Sequence, residues 1–236
     1  MLEIKNFFKS YDGKNFACNN VSLKVESGDI FGFIGHNGAG KTTLLRSIAG
    51  ILDFDKGEIL VQGHNIKTDA LEAKKVMAYI PDNPEVYESL KGIQYLDFIA
   101  DVYGIEHDIR QQRIKKYAEM FEMQNVLNNP IGSYSHGMKQ KIVIIGALVH
   151  HPQVMLLDEP FVGLDPKASY LLKEVFKELC TEGTAIFFST HILEVAEKLC
   201  NKVAIIKQGK IVASGDTVSI TKDQSLESLF LELIAS

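Results

Sequence analysis

The sequence predicts an α/β fold with a parallel-sheet core, an N-terminal antiparallel β-subdomain and an inserted helical subdomain over about residues 84–150. Three observations predict it. Apolar residues alternate with polar ones through the first sixty positions. The period lengthens to that of a helix after Pro84. Beyond residue 150, short apolar runs return with helical stretches between them, the pattern of parallel strands joined by crossovers. No linker, repeat or low-complexity stretch interrupts the chain, so residues 1–236 read as a single domain carrying that insert.

In chain order, Leu2, Ile4 and Phe7-Phe8 and then Val21, Leu23 and Val25 form the first alternating runs, with turns at Asp12-Gly13 and Ser27-Gly28-Asp29. Ile30 to Ile34 is short and apolar, suited to a buried strand. Thr43 to Ala49 reads as a helix closed by Gly50. Gly57 to Gln62 is a further candidate strand, ended by Gly63-His64-Asn65. In the insert, Ile93, Leu96, Ile99, Val102 and Tyr103 recur at helical spacing, as do Ile114, Tyr117, Ala118 and Phe121. Buried strands follow at Val154 to Leu157, Ala185 to Phe188 and Val203 to Ile206. A hairpin turns about Gln208-Gly209.

The strongest chemistry lies between the strand at Ile30 and the helix at Thr43. Gly35-His36-Asn37-Gly38-Ala39-Gly40-Lys41-Thr42 has the spacing G-x-x-x-x-G-K-[ST] of a phosphate-binding loop. Its glycines let consecutive backbone N–H groups turn toward a triphosphate. Lys41 reaches the β- and γ-phosphates, and the Thr42 hydroxyl can occupy a site on Mg²⁺. A strand before and a helix after place the positive helix end on the phosphates. A nucleoside triphosphate is therefore the expected ligand. Val154 to Leu157 delivers Asp158 and Glu159 to a strand end. Alone, that pair would equally suit a solvated acidic end; beside a phosphate loop, Asp158 reads as the holder of Mg²⁺ and Glu159 as the residue that orients or deprotonates a water.

Composition narrows the classes. A net charge of −5 argues against broad affinity for nucleic acid, and no nucleic-acid partner is expected. Cys18, Cys180 and Cys200 share no C-x-x-C spacing, which indicates neither a disulfide framework nor a zinc site and suits a reducing cytoplasm. The first residues, Met1-Leu2-Glu3-Ile4-Lys5, lack the apolar stretch of a signal peptide. The longest apolar run, Ile142 to Val149, falls far short of the ~20 residues that span a bilayer. If the protein acts at a membrane, another chain is expected to do the spanning.

Three more stretches carry a resemblance: Tyr134-Ser135-His136-Gly137-Met138-Lys139-Gln140-Lys141, Gly163-Leu164-Asp165-Pro166, and Ser189-Thr190-His191. Together with the phosphate loop and Asp158-Glu159, they make the chain resemble the nucleotide-binding subunits of ATP-binding cassette (ABC) transporters nearly end to end. The resemblance implies a P-loop NTPase core and an ATPase with ATP and Mg²⁺ as cofactors. It implies that Gly35 to Thr43 is the Walker A loop and Leu156 to Glu159 Walker B. It also implies that Tyr11 stacks on adenine, that Gly163 to Asp165 is the segment communicating across a dimer, and that His191 contacts the γ-phosphate. Catalytic roles would fall to Glu159, His191 and Lys41. Ser135 and the Gly137 amide would bind the γ-phosphate held by a second subunit, in a homo- or heterodimer.

Two positions depart from the family pattern. His136 stands where the signature usually has glycine, and Asp82, in Ile80-Pro81-Asp82-Asn83, stands where glutamine is usual. Asp82 could still approach Mg²⁺, with the metal attracting it and the γ-phosphate repelling it. Similar substitutions occur in a subgroup of bacterial exporter ATPases whose membrane domain is a separate chain, and this sequence looks most like that subgroup. That resemblance implies export, a place at the cytoplasmic face of the cell membrane, and a permease subunit contacting the helical subdomain. Tyr87, Leu90, Tyr95, Phe98 and Tyr103 are dense for one segment; most suit the insert's core, and a few would line a groove for a short permease helix. A non-transport member of the superfamily, in DNA repair or at the ribosome, is the alternative, although one cassette leaves no room for a second or for a coiled-coil arm. A P-loop kinase or GTPase has no use for the signature stretch or for His191.

Overall fold

A computed structural model describes residues 1–222 and 224–235. The element order is β1 (Leu2–Ser10), β2 (Phe16–Val25), β3 (Ile30–Ile34), α1 (Lys41–Ile48), β4 (Lys56–Val61), β5 (His64–Asn65), α2 (Ala70–Lys75), β6 (Met77–Ile80), α3 (Gly92–Val102), α4 (His107–Met120), α5 (His136–His150), β7 (Val154–Asp158), α6 (Pro166–Thr181), β8 (Ala185–Thr190), α7 (Leu193–Leu199), β9 (Lys202–Lys207), β10 (Lys210–Asp216), α8 (Thr217–Thr221) and α9 (Leu226–Ala235). The chain divides into two compact units. One holds Met1–Tyr79, Gln153–Pro160 and the described residues from Phe176 onward; the other holds Ile80–Pro152 and Phe161–Val175.

The first unit is built on two sheets. A four-stranded sheet runs β2-β1-β4-β5, and its β1–β2, β1–β4 and β4–β5 pairs are antiparallel. A six-stranded sheet runs β10-β9-β3-β8-β7-β6, in which β9, β3, β8 and β7 pair in parallel and β10 returns antiparallel to β9. This is the α/β architecture the sequence predicts. The three central strands β3, β7 and β8 are buried at every residue. Both their faces are covered, which is why they read as unbroken apolar runs rather than as alternation. In β1 and β2 the buried residues Leu2, Ile4, Val21, Leu23 and Val25 alternate with half-buried or exposed ones, since only one face meets the core. Phe33 and Phe187 pack as tilted rings 5.4 Å apart on adjacent strands. Burial of each such side chain stabilises the unit by about 1.5–3 kcal/mol.

Two short pieces depart from the reading of the sequence. His64 and Asn65 do not simply end the preceding strand. They form β5, which folds back on β4 across Gln62-Gly63, and both turn residues have positive φ, at 50° and 85°. That backbone is the one a tight hairpin needs. The second piece is α2 with β6, too short to leave a periodic signature.

The second unit is helical among its described residues. Ile114, Tyr117, Ala118 and Phe121 are buried, as their spacing predicts. In α3, however, the buried positions are Gly92, Tyr95, Leu96 and Ala100, and Val102 is largely exposed. Six residues beyond Leu96, at 100° each, leave Val102 about 120° off the packed stripe. Tyr95 packs near Gly146 of α5, where glycine lets the ring approach. Ser135 caps α5 by accepting a hydrogen bond from the Met138 amide at 3.3 Å, an interaction worth about 1 kcal/mol.

Candidate functional site

Pairing in the parallel sheet sets Ile34 opposite Thr190 and Asp158 opposite Ser189. The carboxyl ends of β3, β8 and β7 therefore lie side by side, the edge where parallel sheets bind ligands. The sequence places a different chemical group just beyond each strand: the Gly35–Lys41 loop after β3, Glu159 after β7 and His191 after β8.

The loop is held open by its glycines. Gly38 and Gly40 have φ of 80° and 110°, and a Cβ on Gly40 would strike the Ala17 carbonyl oxygen. No side chain caps α1, so the first N–H groups of that helix have no capping partner. Uncapped donors at a helix N-terminus, with glycine N–H groups ahead of them, are suited to an anion. His36, Asn37 and Gly38 form the exposed lip of the loop, Gly35, Ala39 and Gly40 its buried wall, and Thr42 and Thr43 are half-buried at its base.

Lys41 is buried, and its Nζ donates to the Gly35 carbonyl at 2.7 Å, with the His36 carbonyl at 3.4 Å. The same ammonium lies 3.5 Å from Glu159 Oε1. Glu159 Oε2 lies 3.0 Å from His191 Nδ1 and accepts from the His191 amide at 3.3 Å. One carboxylate thus faces a lysine with one oxygen and a histidine with the other. Glu159 takes a left-handed φ of 48° directly after the strand, a conformation that costs about 1–2 kcal/mol in a non-glycine residue. Such strain collects at active sites.

Ser189 enters the sequence reading only as part of the Ser189-Thr190-His191 stretch, with no role of its own, yet it holds both acids. Its hydroxyl donates to Asp158 Oδ1 and accepts from the Glu159 amide at 3.1 Å, while its carbonyl accepts from the same amide at 3.2 Å. A serine in the otherwise apolar run Ala185 to Phe188 and beyond was the available signal. Its partners become visible only through the β7–β8 register.

Tyr11 is mostly exposed, and its hydroxyl lies 3.2 Å from Thr43 Oγ1 at the base of the loop, with Lys9 Nζ over the ring at 5.3 Å. The ring is therefore accessible and tied to the base of the glycine-rich loop, a surface on which a planar group could stack. For a metal, no three of His, Cys, Asp and Glu cluster among the described residues. The available donors are the Thr42 hydroxyl and the Asp158 carboxylate. That set fits Mg²⁺, which keeps several waters and completes its shell with substrate phosphate oxygens, better than an ion needing an all-protein cage.

In the helical unit, Ser135 and Gly137 stand at the N-terminus of α5, and Asp82 is exposed in the bend after β6. Among the dense aromatics, Tyr95 is buried and Tyr103 stacks on His150 at 3.5 Å. Tyr87 and Phe98 instead stay exposed, meet edge-to-face at 6.1 Å, and with Ser89 and Leu90 line a hollow of about 250 Å³.

Comparison with known proteins agrees with this geometry. Residues 18–162 match the family model described as ABC transporter. The chain is 35% identical to the ABC-type transporter ATP-binding protein EcsA of Bacillus subtilis, over 99% of this chain and 96% of that one. It is 34% identical to the ABC transporter ATP-binding protein NatA of the same organism, over 90% and 87% of the two chains. A solved ATP-binding subunit of an ABC transporter superposes with a TM-score of 0.95 at 32% identity, covering 99% of each chain. The protein belongs to the ABC transporter family, as one of its ATP-binding ATPase subunits.

Proposed function

We propose that this ATPase closes head to tail on a second cassette around two ATP molecules and drives a separate permease, in the direction of export. The observation that carries the reading is the placement of Glu159 within reach of Lys41 and His191 at one strand edge. Lys41 and the loop amides bind the β- and γ-phosphates. Thr42 and Asp158 hold Mg²⁺, which neutralises phosphate charge when bound, and Asp82 assists from the bend after β6. Glu159 orients and deprotonates the attacking water, and His191 holds Glu159 and meets the γ-phosphate. Tyr11 stacks on adenine.

Each γ-phosphate takes its remaining ligands from Ser135 and the Gly137 amide of the opposite subunit, and for that reason ATP drives association. The exposed Tyr87–Phe98 hollow receives a short helix of the permease, with the two rings as anchors. Among the described residues no helix is long and apolar enough to cross a membrane, so membrane attachment in this reading comes through that partner. Export rests on the resemblance of the Asp82 and His136 stretches to exporters with a separate membrane chain.

The test is Glu159→Gln, which keeps shape and removes the base. Phosphate release should fall by ~10²–10⁴ while sedimentation with ATP shows a stable dimer. Turnover near the parent's rate would remove Glu159 from the mechanism. Titrating the parent and Asp82→Ala with Mg²⁺ in the same assay tests Asp82, whose loss should raise the half-maximal Mg²⁺ concentration.

A further inference from the structure

His136 lies at the first position of α5, one residue beyond the capping Ser135. A Cβ on Gly163 would fall 2.8 Å from His136 Cδ2 and 3.0 Å from Nε2, so the imidazole lies directly against that glycine. A Cβ on Gly137 would fall 2.9 Å from the Gly163 carbonyl oxygen. One turn further along α5, Lys141 Nζ pairs with Asp165 Oδ2 at 2.7 Å. His136, Gly137 and Lys141 thus grip both ends of the segment Gly163-Leu164-Asp165. Asp165 Oδ1 also accepts from the Ala168 amide at 2.8 Å at the start of α6, which fixes the far end of the segment. Of these contacts, only that of the His136 ring depends on a side chain where the family signature usually has none.

We infer that His136 is a positioning residue that clamps Gly163–Asp165 to the γ-phosphate-binding turn of α5, so that filling one nucleotide site displaces the segment and is felt at the other. The inference rests on the head-to-tail reading. The physical argument is stiffness. With glycine at 136, α5 would hold the segment mainly through the half-exposed Lys141–Asp165 ion pair one turn further along, which is a weak tie. A ring packed on a bare Cα leaves no gap to absorb a displacement, and close-packed elements move together rather than deform. Gly163 has φ +82°, so both backbone conformation and the ring require its small size.

His136 also lines a hollow of about 450 Å³ with Asn83, Glu85, Glu88 and Lys139, and Lys139 pairs with Glu88 there. The clamp therefore borders the segment that follows Asp82, where the chain departs from its family a second time.

The experiment compares the full chain with His136→Gly, His136→Asn, Gly163→Ala and the double variant His136→Gly/Gly163→Ala. The readouts are kcat, KM and the Hill coefficient for ATP, with ATP-driven dimerisation followed by sedimentation in a Glu159→Gln background. Two coupled sites give the parent a Hill coefficient approaching 2. His136→Gly should lower it toward 1 with KM changed less than about threefold, and His136→Asn should restore part of the cooperativity. Gly163→Ala should lose about tenfold in kcat, and removing the ring in the double variant should recover at least about threefold of that loss. An unchanged Hill coefficient in His136→Gly, a parent coefficient of 1, or a double variant equal to the product of the singles would overturn the clamp. If Glu159→Gln alone fails to dimerise with ATP, the head-to-tail reading falls and the clamp falls with it. If it dimerises while the variants behave independently, the clamp alone is wrong.

Discussion

His191 meets Glu159 twice, through Nδ1 at 3.0 Å and through its own amide at 3.3 Å, and both contacts fall on the same carboxylate oxygen. The other oxygen of Glu159 faces Lys41 at 3.5 Å. In the proposed mechanism, an incoming γ-phosphate would compete with Glu159 for Lys41 while the link to His191 holds the carboxylate, so that binding and the arming of the base would be one rearrangement of a single side chain.

Replacement of His191 by alanine should separate these roles. The imidazole pairs with Glu159, so if its role is to hold that carboxylate, nucleotide affinity of the isolated subunit should change less than about threefold. Turnover should fall by ~10²–10⁴, the usual contribution of a positioned acid–base group. Phosphate release and fluorescent-nucleotide titration measure the two quantities. Equal losses in both would place His191 in binding rather than in chemistry.

Ser189→Ala removes the hydroxyl that donates to Asp158 and accepts from the Glu159 amide. Its site is fully buried, so no water replaces the lost partner at once, and about 1–3 kcal/mol of stability should go with it. Function should suffer further, because the left-handed turn at Glu159 is tied to the same hydroxyl. Urea unfolding and kcat are the measurements. Ser189→Thr, which keeps the hydroxyl, should rescue turnover; failure to do so would leave Ser189 a packing residue.

The sequence made most of this edge legible because its signals are local. Glycines at 35, 38 and 40 with the lysine after them, an apolar strand ending in two carboxylates, and a histidine directly after another strand are each written within a few consecutive residues. What stayed hidden depends on register. Ser189 matters because β8 lies beside β7 with Asp158 opposite it, and no spacing along the chain encodes that. The exposure of Val102 was hidden for another reason: an apolar residue at near-helical spacing looks packed until the stripe's centre at Leu96 is known. Tyr87 and Phe98 could not be told from Tyr95 by composition, since exposure alone separates them.

Asp29 anchors the first unit at the start of β3. Its carboxylate accepts from the Glu26 amide at 2.8 Å, from Asn201 Nδ2 at 2.8 Å and from Lys202 Nζ at 3.0 Å. Burial pushes the carboxyl up, but hydrogen bonds from Asn201, Lys202 and the Glu26 amide outweigh it and hold it below the ordinary carboxylate value. A depressed folded-state value means that the stabilisation is fully present above the unfolded value of about 3.9 and is lost as pH falls through the folded one. Asp29→Ala should therefore cost about 1.5–3 kcal/mol near pH 7, and the gap between the two proteins should narrow below about pH 4. Urea midpoints across pH 3–8 decide it, and a gap independent of pH would assign the loss to packing.

Gln140 presents the opposite case, a polar group whose removal should help the free chain. It is fully buried in α5, four residues beyond His136, and neither atom of its amide has a hydrogen-bond partner among the described residues. Leaving such a group unsatisfied costs about 1–3 kcal/mol, whereas an apolar side chain of similar shape carries no such penalty. Leucine is also at least as good a helix former. Gln140→Leu should thus raise stability by about 1 kcal/mol or more, a shift of roughly 2–4 °C in melting temperature for a chain of this size. Thermal melts and urea midpoints without nucleotide measure it. Turnover with ATP supplies the second reading: if closure on ATP gives the amide a partner, the leucine variant should be more stable at rest yet slower at work. A variant that melts lower would mean that the amide is already satisfied in the free protein by a bridging water.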